Sequence, residues 1–224
     1  NTVVIDASTA HRTAEGWAYG FPELSEEHEN AVRTSNRIAV PGCHASGFVA
    51  LVYPAVRAGL IYPDDVLFCH SLTGYSGGGK AMIAEYEAEG AEPSAAKLYA
   101  LGLHHKHLPE MQRVCGLTYP PVFTPVLVNT HRGMVVTVPV IAPAPAVWEY
   151  FAEYYQGAAH VKVMPFAEYP GLEIEGMNRT DDMEIYIFGH ETQTVLAARF
   201  DNLGKGSSGA ALQCFNLRIL HKGE

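Results

Sequence analysis

Four cysteines in 224 residues, with no CxxC pair among them, are too few for a disulfide framework. Basic residues are also scarce: 15 Lys and Arg against 24 Asp and Glu give a formal net charge of −9. That balance argues against broad nucleic-acid binding, which needs basic patches facing phosphates. It leaves small anions open, because a few local cations can hold those within an acidic protein. No apolar run reaches the roughly 18 residues that suggest a membrane span, and Asn1–Asp6 lacks the pattern of a secretory signal. Free thiols in a reducing cytoplasm are the expectation. Internal repeats and low-complexity tracts are missing, as is any Gly-rich phosphate loop near the start.

What is present is an ordinary globular balance, 48% hydrophobic and 17% charged, long enough to bury a full core. Val3–Ser8 reads as a short buried strand running into a polar turn. After Pro41-Gly42-Cys43, the spacing of Phe48, Val49, Leu51, Val52 and Val56 predicts a helix over 45–59, kinked or interrupted at Pro54. Strands are expected at 66–69 and 97–103, and a helix starting at Pro109. Two β-rich runs between Val122 and Ile141, either side of Asn129–Gly133, suggest an antiparallel hairpin. An amphipathic helix over 145–156, strands at 161–163, 184–188 and 194–200, and a helix over 210–220 complete the reading. The fold class is α+β, with a mostly antiparallel sheet.

Three segments carry candidate chemistry. Cys43 follows a rigid-then-permissive Pro-Gly pair and opens a predicted helix, whose N-terminal N–H groups favour a thiolate. Its alkylation is then expected well below the roughly 8.5 of a free thiol; a buried cysteine in a turn is the alternative. Cys69, Cys115 and Cys214 lie in apolar patterns that suit core packing. His104–Glu110 contains His105 and His107, which share a face if that stretch is a strand. Acid–base work beside a cysteine, a polar surface cluster and a metal pair all remain open for them, although zinc wants three or four ligands. Gly77–Lys80 offers backbone N–H groups and a lysine to an anion, but Ala81 stands where a phosphate loop of the GxxxxGK[ST] type has a hydroxyl residue.

Taken together, six segments resemble the shorter form of the N-acetyl-γ-glutamyl-phosphate reductase family. They are Asp6–Arg12, Tyr19–Leu24, Pro41–Gly47, Thr73–Lys80, His105–Glu110 and Lys205–Ala210, in the family's order across almost the whole chain. Aspartate-semialdehyde dehydrogenases, by contrast, carry their cysteine in an Asn-Cys setting. The resemblance implies NADPH-dependent reduction of N-acetyl-γ-glutamyl phosphate to the semialdehyde in arginine biosynthesis, through a thioacyl enzyme. It implies Cys43 as nucleophile and His107 as acid–base residue. Ser8, Arg12, Lys80, His105 and Glu110 would face the substrate, and Thr73, Gly74, Asn202 and Lys205 the cofactor, with no metal.

It further implies that residues 1–42 end a Rossmann-type NADP-binding domain and that 43–200 form a catalytic and dimerisation domain. Residues 201–224 would return as a helix to the first domain. The family's Gly-rich βα turn, which holds the NADP pyrophosphate, is absent from this chain, so weak NADPH binding by this polypeptide is expected. A homodimer or homotetramer is the expected assembly. A lysine-pathway acyl-phosphate reductase and a non-catalytic dimerising fragment are the alternatives.

Overall fold

The computed structural model describes residues 2–88 and 95–220. Among the described residues, sixteen strands and α-helices follow one another: β1 (Val4–Asp6), β2 (Ala18–Tyr19), α1 (Glu26–Thr34), β3 (Arg37–Ala39), α2 (Cys43–Arg57), β4 (Phe68–Gly74), α3 (Gly79–Tyr86) and β5 (Lys97–Leu98). Then come α4 (Leu108–Cys115), β6 (Val122–Val128), β7 (Met134–Val140), α5 (Ala144–Tyr154), β8 (Val161–Val163), β9 (Met183–Gly189), β10 (Thr194–Phe200) and α6 (Gly209–Leu220).

The larger sheet has the order β5-β6-β4-β7-β10-β9-β8, with β4–β6 and β8–β9 parallel and its other pairs antiparallel. This is the mixed, mostly antiparallel α+β body expected. Strand residues alternate between faces, so Met134, Val136, Val138, Leu196 and Ala198 turn inward with Phe48, Leu51 and Val52 of α2 and Phe151 of α5. The opposite face is open along β4 and β10, where Phe68 is 49%, Leu72 38% and Val195 37% exposed.

Several expected elements are corrected. The hairpin over 122–141 does not form, because β4 lies between its two runs and bonds to both, parallel to β6 and antiparallel to β7. The strand expected at 66–69 begins at Phe68 and continues to Gly74, carrying the Thr73-Gly74 step into the sheet. The strand expected at 97–103 stops at Leu98; Ala100 and Leu103 take positive φ, and His104–His107 is a turn leading into α4. Helix α2 runs through Pro54. Proline removes the N–H that the Ala50 carbonyl would have accepted, and the Tyr155 hydroxyl donates to that carbonyl instead, at 2.7 Å.

A second, smaller sheet is wholly parallel, β1-β3-β2, and shares the core of Ala18, Val32, Ile38 and Cys214 with α1 and α6. Arg218 fastens α6 there by donating to the Ser35 carbonyl and to Asn36. Strand β3 exits this sheet through Val40–Gly42 directly into α2, which packs against β7 and β10 of the larger sheet. No helix among the described residues is long and apolar enough to cross a membrane.

Candidate active site

Cys43 is the first residue of α2, with Gly42 as the extended cap (φ −78°, ψ 147°). That backbone suits any residue, so the need for glycine is one of space: a Cβ there would lie 2.4 Å from both Arg12 Nη1 and His107 Nε2. Gly206 is constrained similarly, since an added Cβ would sit 3.0 Å from the Cys43 Cβ. It belongs to a π-helical turn, Gly204–Ser208, immediately before α6. The nucleophile candidate is thus framed from three distant stretches of chain.

Cys43 opens on a cavity of about 420 Å³. His44, Tyr99, His105 and His107 form one wall, and Thr73, Ser76, Gly77 to Gly79 and Asn202 form another. Arg12, Lys97 and Lys106 supply cations, and no described lining residue is a carboxylate. In a protein of net charge −9, that is a local reversal of sign.

Cys43 is only partly exposed, and burial pushes its thiol up; the His44 N–H aimed at the sulfur and the charges of Lys106 and Arg12 oppose the rise. This direction runs against the expectation of a thiol ionising below the ordinary range, because desolvation is the largest influence and exceeds the His44 N–H and the nearby cations. His107 is pushed strongly down by burial, then by His44, His105, Arg12 and Lys106. It is neutral at physiological pH, and its Nδ1 is buried with no partner among the described residues. His105 is also lowered by burial, and its ring centroid lies 4.8 Å from that of His107. Burial, then His105 and Lys106, lowers His44 to about 3. No set of three or more His, Cys, Asp or Glu side chains among the described residues is arranged to hold a metal.

Glu110 sits behind the cavity wall. One carboxylate oxygen accepts from Tyr19 Oη at 2.7 Å and the Gly42 N–H at 2.9 Å, and the other from Arg12 at 3.2 Å. Arg12 also donates to the carbonyls of Val40 and Ala7. Burial raises the Glu110 carboxyl, opposed by Arg12, Gly42 and Tyr19.

The fold brings Cys43, His107, His105, Arg12, Thr73 and Asn202 to one cavity; five other predicted site residues lie outside its lining. Glu110 is occupied as described. Ser8 is exposed and bonds Asp6. Lys80 is exposed on the first turn of α3. Gly74 is buried, with the Thr130 and His131 carbonyls 2.8 Å from where a Cβ would stand. Lys205 is buried in an ion pair with Glu23 at 2.8 Å and also donates to Gln213. Asn202 accepts the Gly133 N–H and donates to Ser76, pinning the glycine loop beside the cavity. Sequence reasoning missed His44, Tyr99, Lys97 and Lys106. His44 had a signal in its place next to Cys43; Tyr99 had none, since its strand ends before it.

Residues 43–202 match the family described as semialdehyde dehydrogenase, dimerisation domain. The fold agrees with aspartate semialdehyde dehydrogenase II from Vibrio cholerae, at TM-score 0.70 and 21% identity over 97% of this chain and 72% of that one. A probable aspartate-semialdehyde dehydrogenase from Pseudomonas aeruginosa gives TM-score 0.70 at 16% identity, over 98% and 73%. The class is that of the semialdehyde dehydrogenase fold. Sequence similarity is higher to N-acetyl-gamma-glutamyl-phosphate reductase 2 of Pseudomonas putida, 40% identical over 96% of this chain and 73% of the relative. The reductase of a Chelativorans species is 40% identical over 97% and 75%. The chain belongs to the N-acetyl-γ-glutamyl-phosphate reductase family.

Proposed function

We propose that this chain carries the acyl-transfer and reduction centre for N-acetyl-γ-glutamyl phosphate, forming the semialdehyde and phosphate in arginine biosynthesis. The observation that carries it is the shared cavity: a cysteine at a helix N-terminus, a neutral unpartnered histidine and three cations, with no described carboxylate in the lining. An acyl phosphate is already activated, so the demand falls on the nucleophile and on holding negative charge.

With the thiol raised and His107 lowered, a standing thiolate–imidazolium pair is disfavoured in the free site. Proton transfer therefore accompanies attack. As the Cys43 sulfur bonds to the acyl carbon, its proton passes to His107; the carbon–oxygen bond to phosphate breaks, and the imidazolium returns the proton to the leaving phosphate. N–H groups at the start of α2 face the oxyanion that forms, and Arg12, Lys97 and Lys106 hold the phosphate and carboxylate charges. NADPH, when bound, supplies the hydride that converts the thioester to an aldehyde, with the Cys43 sulfur as leaving group. Thr73, Asn202 and the Ser76–Gly79 stretch would hold its nicotinamide end, since that wall combines amide and hydroxyl groups with bare glycine backbone. Residues 1–42 and the stretch after residue 200 would form part of the cofactor-binding domain. The uncovered sheet face of Phe68, Leu72 and Val195 suits a second copy of the chain, as the dimerisation-domain match suggests.

Mixing the chain with N-acetyl-γ-glutamyl phosphate tests the acyl-transfer half without any cofactor. The expected result is one acyl adduct on Cys43 by mass spectrometry with release of phosphate, and neither in Cys43→Ala. An unmodified Cys43 in the wild-type chain would overturn the reading.

A further inference from the structure

Ser71, at the middle of β4, is fully buried, and its hydroxyl meets one partner among the described residues, His44 Nδ1 at 2.7 Å. The other ring nitrogen of His44, Nε2, lies 2.7 Å from the Tyr99 hydroxyl. Counting donors sets the direction of this chain. A buried hydroxyl proton requires an acceptor, and the one within reach of Ser71 is Nδ1. A neutral imidazole carries a single N–H, so if Nδ1 accepts, Nε2 donates. The Tyr99 oxygen receives that proton, and its own O–H has no acceptor among the described residues. Reversing the polarity would strand the Ser71 proton in the core, the costly arrangement. Tyr99 lines the cavity that Cys43 and Arg12 share.

We propose that Tyr99 is a substrate-binding residue whose hydroxyl, oriented by Ser71 through His44, donates a hydrogen bond to an oxygen of the N-acetylglutamyl skeleton. The inference rests on the function proposed above and adds a neutral, directional donor to a site otherwise rich in cations. Arg12, Lys97 and Lys106 attract negative charge but select shape weakly; a fixed phenol distinguishes where an acceptor oxygen stands. Burial, and then the charge of a Cys43 thiolate, pushes Tyr99 ionisation up, so it remains a donor at physiological pH. Ser71 and His44 act through Tyr99 and are positioning residues.

The test is protection of Cys43 from iodoacetamide by N-acetyl-L-glutamate, in the wild type, Tyr99→Phe, Ser71→Ala and the double variant, with melting temperatures recorded alongside. In Tyr99→Phe the half-protecting concentration rises about tenfold, the scale of one lost hydrogen bond. Ser71→Ala raises it less, and the double variant matches Tyr99→Phe alone. Wild-type protection in Tyr99→Phe would overturn the inference and leave the function standing. A Ser71→Ala effect that persists undiminished in the Tyr99→Phe background would overturn the relay. Absence of protection in the wild type would overturn the inference together with the substrate reading beneath it.

Discussion

Glu110, on α4, accepts the backbone N–H of Gly42 at 2.9 Å and so anchors the peptide that precedes Cys43. The carboxylate holds Tyr19 and Arg12 as well, with 2% of its side chain exposed. Glu110→Ala leaves these partners buried and unmatched, and removing one member of a buried charge pair costs about 3–5 kcal/mol. Urea denaturation is expected to show that loss. Glu110→Gln keeps one acceptor oxygen and is expected to lose less stability. A Glu110→Ala chain as stable as the wild type would contradict this assignment.

Gly42→Ala tests the space at the cap. The backbone tolerates alanine, but the new methyl meets Arg12 and the His107 ring. Overpacking of this kind costs about 1–3 kcal/mol, and the larger expected effect is slower phosphate release, because the His107 ring in the cavity it shares with Cys43 must shift. Unchanged turnover with a normal melting temperature would show that the contact relaxes freely.

Cys43 alkylation by iodoacetamide, followed against pH, is expected to have its midpoint above the roughly 8.5 of a free thiol. Burial is the largest influence on this thiol. Lys106→Met removes an opposing cation and moves the midpoint higher still. A midpoint below that of free cysteine would mean that the helix terminus outweighs desolvation.

Stability should fall in mild acid. His44 and His107 both have lowered values in the folded chain, His44 at about 3. Below about 6.5 the unfolded chain binds protons that the folded chain refuses, so stability drops as pH falls. The slope approaches at most about 1.4 kcal/mol per pH unit for each histidine. Glu110, whose carboxyl is raised, acts in the opposite sense at lower pH. Denaturant midpoints between pH 7.5 and 5 measure the slope, and His44→Gln is expected to flatten it.

Local chemistry was legible in the sequence, and long-range placement was not. Pro41-Gly42-Cys43 announced a turn and a helix start because those residues act on their own backbone, and α2 begins at Cys43. The runs 122–128 and 134–140 were recognisable as strands from their β-branched content. Their pairing was not, since nothing between them shows that β4, from fifty residues earlier, lies in the gap. Lys205 and Lys80 show the same limit: one was expected at the cofactor and the other at the substrate, yet Lys205 ends against Glu23 and Lys80 is exposed. Tyr99 enters the cavity only because the chain turns after Leu98, and Leu103, further along, takes positive φ without glycine.

The π-helical turn that sets Gly206 beside Cys43 has a consequence for synthesis on the ribosome. The thiol is made more than 160 residues before the backbone that packs against it. Over that stretch of elongation the nascent polypeptide carries this sulfur without its final cover, open to oxidants and electrophiles from every side rather than through the cavity alone.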